Sequence, residues 1–409
     1  MNGRRLAYRV RTLEQPLLQA SRQFPVILVT GPRQTGKTTL LRKLDPERTY
    51  ITLDDPLLRE LAQRDPALFL QRYSGPLLID EIQYAPELLP FLKIRVDAHR
   101  EPGMFWLTGS QQFHLMKGVS ESLAGRVAVV RLLGFSQAEL QDEPQRQPFL
   151  PDRPISSHPV PDLAAIYRQI WMGSFPALHG ELHPDRDLFL SSYVQTYLQR
   201  DVRDLARVGD ESNYLRFMRV CAARTGQLLN IADLSRDADI AQATAKHWLS
   251  ILEASGIVHL LQPFHSNLTQ RLVKAPKLYF LDTGLATWLT GWSSPETLEN
   301  GAMSGAILET WVVSEVLKSY WHRGLDAPLW YFRDRDQKEI DILLVRDGTI
   351  HPVEVKKSAQ PGRDAMRHFQ ALEKFAGSGL LVGKGAVVCF ASQAIPLTDS
   401  VDLVPVGTI

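Results

Sequence analysis

Short apolar runs, each closed by a glycine or an acid, alternate with segments of helical spacing through the first third of the chain. Residues 26–30 form a β-branched run that stops at Gly31, and similar runs recur at Tyr50–Leu53, Leu77–Ile79, Phe105–Thr108 and Val127–Leu132. Between them, Glu87 to His99 follows a helical period. Buried strands alternating with helices predict an α/β fold with a mainly parallel sheet. A polar, Pro-rich stretch at 141–162 breaks this pattern and predicts a domain boundary. Residues 163–255 read as helical. A long helix over Ile307–Tyr320 then leads to strands at Leu329–Phe332, Ile340–Val345 and Thr349–Val355, a helix at Ala365–Phe375 and a strand near Ala386–Phe390. The expected units are 1–150, an α/β domain; 151–265, a helical linker; and 266–409, a second α/β domain. No internal repeat is visible.

The run Gly31, Pro32, Arg33, Gln34, Thr35, Gly36, Lys37, Thr38 matches GxxxxGK[ST] in full, after a predicted strand and before a predicted helix (Thr38–Leu44). Its glycines let the backbone wrap around phosphates, with N–H groups pointing inward at a helix N-terminus. Lys37 is expected on the β- and γ-phosphates, the Thr38 hydroxyl on Mg2+, and Thr39 among the nucleotide contacts.

Downstream, Leu77-Leu78-Ile79 ends in Asp80 and Glu81. Asp80 is the expected partner of Mg2+, and Glu81 is placed to polarise an attacking water. Glu81 makes hydrolysis, rather than binding alone, the expected activity. Ser110, beyond the strand at Phe105–Thr108, is a candidate γ-phosphate sensor or a simple turn residue. Arg126 is a candidate arginine finger onto a neighbouring subunit, or a salt-bridged surface residue.

Together the 31–38 loop, Leu78-Ile79-Asp80-Glu81-Ile82-Gln83, Leu107-Thr108-Gly109-Ser110 and Leu123-Ala124-Gly125-Arg126 resemble a family of bacterial and archaeal AAA-type ATPases with an uncharacterised C-terminal region. Residues 277–285, Glu339-Ile340-Asp341 and Val353-Glu354-Val355-Lys356 resemble that C-terminal region, so the resemblance covers nearly the whole chain. It implies an AAA+-like ATPase and assigns nucleotide roles to Lys37, Thr38, Asp80 and Glu81. It implies no particular substrate.

Glu354 and Lys356 stand two apart on a predicted strand and therefore share a face. With Asp341 on the preceding strand they form the pattern of the PD-(D/E)XK nuclease fold, in which acids bind a divalent metal and the lysine steadies water or phosphate. Glu309, on the preceding helix, is the expected third acid, with Glu315 as its alternative. The same residues also fit a salt-bridged strand pair, or a domain that keeps the fold as a non-cutting platform.

Leu228–Arg236 and Ala241–Glu253 read as two helices across a short turn, followed by a β wing at 257–261: a helix-turn-helix outline, or equally a packing module. Tyr197 to Arg207 alternates Arg and Asp at helical spacing, as a salt-bridged helix surface does.

Composition adds little. In 409 residues, 46 Lys and Arg oppose 45 Asp and Glu, so no global field favours nucleic acid. The first 23 residues nonetheless carry Arg4, Arg5, Arg9, Arg11 and Arg22 against Glu14 alone, which predicts a basic arm touching backbone phosphates. Cys221 and Cys389 make no metal or disulfide pattern, and no apolar run suggests a signal or a membrane span. The expected protein is cytoplasmic and binds ATP and Mg2+, with a second divalent metal in the C-terminal domain. Its expected partners are DNA of unspecified form and further copies of itself in a ring, and no membrane. Hydrolysis would drive DNA remodelling, translocation or branch migration; the alternative is a nucleotide-switched interaction protein.

Overall fold

A computed structural model describes residues 8–109, 118–119, 121–153, 160–181, 184–197, 211–265 and 275–409. Helix α1 (Glu14–Ser21) leads into β1 (Val26–Thr30), α2 (Lys37–Leu44), β2 (Thr49–Thr52), α3 (Pro56–Arg64), α4 (Pro66–Arg72), β3 (Leu77–Asp80), α5 (Leu88–His99), β4 (Phe105–Gly109) and β5 (Val127–Arg131). The five strands form one parallel sheet in the order β2-β3-β4-β1-β5. Alternation along β1 divides its side chains between two layers. Ile27 and Val29 pack with Leu13, Leu17, Leu40 and Leu41 under α1 and α2, while Val26 and Leu28 pack with Phe69, Leu88 and Leu92 under α4 and α5. Asp-Pro pairs start α3 and α4: Asp55 and Asp65 accept backbone N–H groups, and the prolines occupy positions where no N–H is needed. The expected parallel α/β domain forms.

The described part of the Pro-rich stretch packs against the rest of the chain. A short helix α6 (Gln137–Leu140) precedes it, Phe149 and Leu150 are buried, and Tyr320 donates to the Phe149 carbonyl at 3.0 Å. Next come α7 (Leu163–Met172), α8 (Arg186–Tyr197) and α9 (Glu211–Ala223). The two expected helices appear as α10 (Ile231–Ala238), capped by Asn230, and α11 (Gln242–Ala254), joined through Asp239 at φ 56°. Strands β6 (Gln227–Leu228), β7 (Val258–Leu261) and β8 (Lys277–Phe280) make a small antiparallel sheet in the order β6-β8-β7. The β7–β8 pair therefore spans position 265, where the sequence suggested a boundary.

Helices α12 (Thr283–Leu289) and α13 (Pro295–Glu299) lead to the long α14 (Ser304–Trp321). The C-terminal sheet then runs β9 (Leu329–Arg333), β10 (Glu339–Arg346), β11 (Thr349–Val355), β12 (Leu381–Val382), β13 (Gly385–Cys389), β14 (Ile395–Thr398) and β15 (Val401–Pro405). Its main order is β14-β15-β13-β11-β10-β9, antiparallel across β9, β10 and β11 and parallel across β11, β13 and β15. One expectation fails here. Residues 365–375 form no α-helix; apart from Arg367 and His368 they lie in two 3-10 segments, Arg363–Met366 and Phe369–Ser378. Their buried Phe369, Leu372 and Phe375 recur every third residue, the period of the tighter helix.

The basic-arm expectation also fails for Arg9 and Arg11, while Arg22 is exposed. Arg9 donates to the Leu140 carbonyl and Asp142, and Arg11 is buried beside the phosphate-binding loop. Arg4 and Arg5 lie outside the described residues. Among the described residues, no helix is long and apolar enough to cross a membrane.

Candidate functional site

The 31–38 loop leaves the carboxyl end of β1 with Gly31 at φ 145°, Gln34 at 60° and Gly36 at 90°. A Cβ on Gly31 would collide with the Leu132 carbonyl, so only glycine fits there. Thr35 donates its hydroxyl to the Pro32 carbonyl at 2.9 Å. Lys37 is buried and reaches back across the loop, donating to the Gly31 and Pro32 carbonyls at 3.0 and 2.8 Å. Thr38 points to β3, while Thr39 stays exposed on the first turn of α2. Arg33 donates to the Tyr84 hydroxyl at 3.1 Å.

Because β4 lies between β1 and β3, the carboxyl ends of all three strands meet at one edge, where ligands bind in open parallel sheets. Asp80 is buried there, with Oδ1 accepting from Thr38 at 2.7 Å and from Thr108, and Oδ2 accepting from Tyr50 at 3.0 Å. The Thr108 hydroxyl also accepts the Glu81 N–H at 3.0 Å. Glu81 itself is left-handed at φ 58°, a conformation that costs a non-glycine residue on the order of 1 kcal/mol, and its carboxylate accepts from Gln83. The Thr38 hydroxyl and Asp80 carboxylate are hard oxygen donors side by side, a donor set that fits Mg2+. Ser110 lies outside the described residues. Thr108 is the polar residue described at the tip of β4, and its position as the one hydroxyl of an apolar buried strand was the available signal.

Arg126 sits at the start of β5, the opposite sheet edge from the loop. It forms a two-point ion pair with Asp97 (2.5 and 3.0 Å), which holds the Asp97 carboxyl below its usual range.

Sequence reasoning missed Arg11. Its guanidinium donates to the Thr35 carbonyl at 2.9 Å and to the Leu133 and Gly134 carbonyls at 2.8 and 3.1 Å. It also pairs with buried Glu139 at 3.1 Å, and Glu139 lies 3.4 Å from His322 at the end of α14. Burial alone would raise Glu139, but Arg11 and His322 hold it well below the carboxylate range. The phosphate loop is thereby tied to the end of α14 through the buried Arg11–Glu139 pair and His322.

The structure does gather the C-terminal candidates. Asp341 on β10 and Glu354 on β11 lie one step beyond the Ile342–Val353 pair, and Lys356 holds Glu354 at 2.7 Å. Asp341 accepts the Val355 N–H at 2.9 Å. Glu309, facing them from α14, accepts from Tyr279 at 2.5 Å and from Lys277 at 3.0 Å. Burial and then the Asp341 charge push Glu309 up to about 7, and burial followed by Glu354 raises Asp341. Glu315 is elsewhere, paired with Lys318 at 2.7 Å. Among the described residues no three His, Cys, Asp or Glu side chains stand at metal-holding spacing. With Lys277 bonded to Glu309 and Glu339 (2.6 Å), these acids do not fit a divalent metal.

The sequence matches an AAA domain over residues 23–141, a domain of unknown function (DUF8612) over 163–296 and another (DUF4143) over 304–409. It is 31% identical over 398 residues to the uncharacterized proteins Rv2008c of Mycobacterium tuberculosis and Mb2031c of Mycobacterium bovis, covering 96% of this chain and 82% of each of theirs. Among solved structures it is similar to the Walker-type ATPase paby2304 of Pyrococcus abyssi (17% identity, TM-score 0.42, covering 68% of this chain and 94% of that one). It is also similar to AMPPCP-bound DnaA from Aquifex aeolicus (15% identity, TM-score 0.28, 59% and 85%). The chain belongs to the family of Rv2008c and Mb2031c, and its AAA domain makes it a P-loop ATPase of the AAA type.

Proposed function

We propose that this chain is a Mg2+-dependent ATP hydrolase whose nucleotide state is read by its helix-turn-helix module, with DNA as the partner of that module. One observation carries the reading. Gly256, in the turn from α11 to β7, packs against Pro32 of the phosphate loop so closely that an added Cβ would lie 2.9 Å from Pro32 Cγ. A loop that shifts around phosphates therefore pushes directly on the end of α11.

In the proposed cycle the loop N–H groups and the start of α2 cradle the phosphates. Lys37 exchanges its two loop carbonyls for phosphate oxygens. Thr38 and Asp80 would hold Mg2+, which when bound would supply positive charge against the charge that develops on the phosphates. Glu81 leaves Gln83 to polarise the attacking water, while Thr108 keeps Asp80 and the Glu81 backbone aligned.

DNA is proposed because α9 to α11 with β6 to β8 have a winged-helix outline. Gln242, Ala243, Lys246, His247 and Ser250 are exposed on α11, a helix of the size a major groove admits. Nearby acids are paired: Asp233 with Arg236, Asp237 with Arg224, Asp239 with Arg216. That near-neutral face implies few phosphate contacts and a shallow salt dependence. Arg126 is proposed to act in trans in a homo-oligomer, which requires its Asp97 pair to open.

A second reading, the C-terminal sheet as a non-cutting interaction platform, is favoured by Lys277 among its acids. ATP turnover with and without single-stranded DNA, duplex DNA and RNA at fixed salt tests the partner. Stimulation by either DNA form supports the proposal; no response to any of the three favours the second reading.

A further inference from the structure

The acid cluster of the C-terminal sheet brings together side chains from distant parts of the chain. Glu309 comes from the middle of α14, Glu339 and Asp341 from β10, and Glu354 from β11. Each already has a protein donor. Glu354 has Lys356 at 2.7 Å, Asp341 has the Val355 N–H at 2.9 Å, Glu309 has the Tyr279 hydroxyl at 2.5 Å, and Glu339 has Arg333 at 2.9 Å. The remaining cation is Lys277. It is only 2% exposed, and its ammonium lies 3.0 Å from Glu309 and 2.6 Å from Glu339.

Lys277 belongs to β8, which pairs with β6 and β7 of the helix-turn-helix module. The ammonium thus crosses from one module into the acids of the next. A buried lysine needs carboxylate partners to stay charged, and the acids need a cation to stay ionised out of water. A divalent ion beside the same ammonium would face unscreened repulsion in this low-dielectric setting.

We propose that this cluster is an ammonium site rather than a divalent-metal site: Lys277 is its resident cation and locks β8 of the helix-turn-helix module to α14 and β10. The inference is independent of ATP hydrolysis. It deepens the platform reading of the C-terminal sheet, because a site filled by lysine assembles no metal for cleavage.

The test uses the full-length chain carrying Asp80→Asn, which removes the phosphate-loop metal partner. Bound Mn2+ is counted by electron paramagnetic resonance, and the thermal midpoint is followed with and without Mn2+. The expected result is no bound Mn2+ and an unmoved midpoint in this parent up to millimolar Mn2+. Adding Lys277→Gln should create one Mn2+ site and a midpoint that rises with Mn2+. Mn2+ binding by the parent that Asp341→Asn abolishes overturns the proposal, as does a folded Lys277→Gln chain that gains no ion. Should Lys277→Gln fail to fold, the parent decides alone: binding abolished by Asp341→Asn overturns the proposal, and absence of binding upholds it.

Discussion

The Thr38 hydroxyl donates to Asp80 Oδ1 at 2.7 Å, so the last residue of the phosphate-loop motif and the acid ending β3 are in direct contact. One neutral donor to a carboxylate contributes about 1.5–3 kcal/mol to folding. Thr38→Val should therefore leave a folded protein. If both groups hold Mg2+, that variant should lose about 100-fold or more in Mg-ATP turnover. Phosphate release alongside a thermal melt checks both halves.

Gly256 holds φ 70° against Pro32. In Gly256→Ala the new Cβ meets Pro32 and the left-handed backbone resists a side chain, together about 1–2 kcal/mol. Turnover should change although residue 256 touches no phosphate. Adding Pro32→Ala should relieve the contact but not the backbone cost, leaving a coupling energy of at least about 0.5 kcal/mol in a double-mutant cycle.

Arg11 and Glu139 form a buried pair. Arg11→Met strands the Glu139 charge and should cost about 3–5 kcal/mol in denaturant unfolding. Glu139→Gln in the same chain should recover part of that loss, because the uncompensated charge is gone.

His259 on β7 meets Trp321 edge-on, and burial, with Arg131 adding to it, lowers its pKa to about 4 from 6.5. A histidine lowered in the folded state takes up its proton more readily when unfolded. Stability should therefore be full above pH 6.5 and fall as pH drops toward 4, by about 2–3 kcal/mol. His259→Phe should flatten that part of a stability-against-pH profile.

What the sequence made legible was what neighbours in sequence decide. The loop from Gly31 to Thr38, the Asp80–Glu81 step and the shared face of Glu354 and Lys356 all follow from spacing within one element. Tyr50 reaches Asp80 because β2 lies on one side of β3, and Thr108 because β4 lies on the other, a property of topology rather than of spacing. Arg11 looked like part of a basic arm because nothing local distinguishes a buried arginine from a solvated one. Lys277 reaches Glu309 from a strand of another module, 32 residues away. Phe369, Leu372 and Phe375 recur every third residue, a spacing that suits the tighter helix and that an apolar pattern alone does not separate from an α-helix.

The most direct test of the central claim compares wild type with Glu81→Gln for both ATP binding and hydrolysis in Mg2+. Wild type should bind and hydrolyse ATP. Glu81→Gln should bind with similar affinity and lose about 100-fold or more in turnover, the usual scale for removing a general base. Turnover by Glu81→Gln at the wild-type rate, or no hydrolysis by the wild-type chain, would contradict the account.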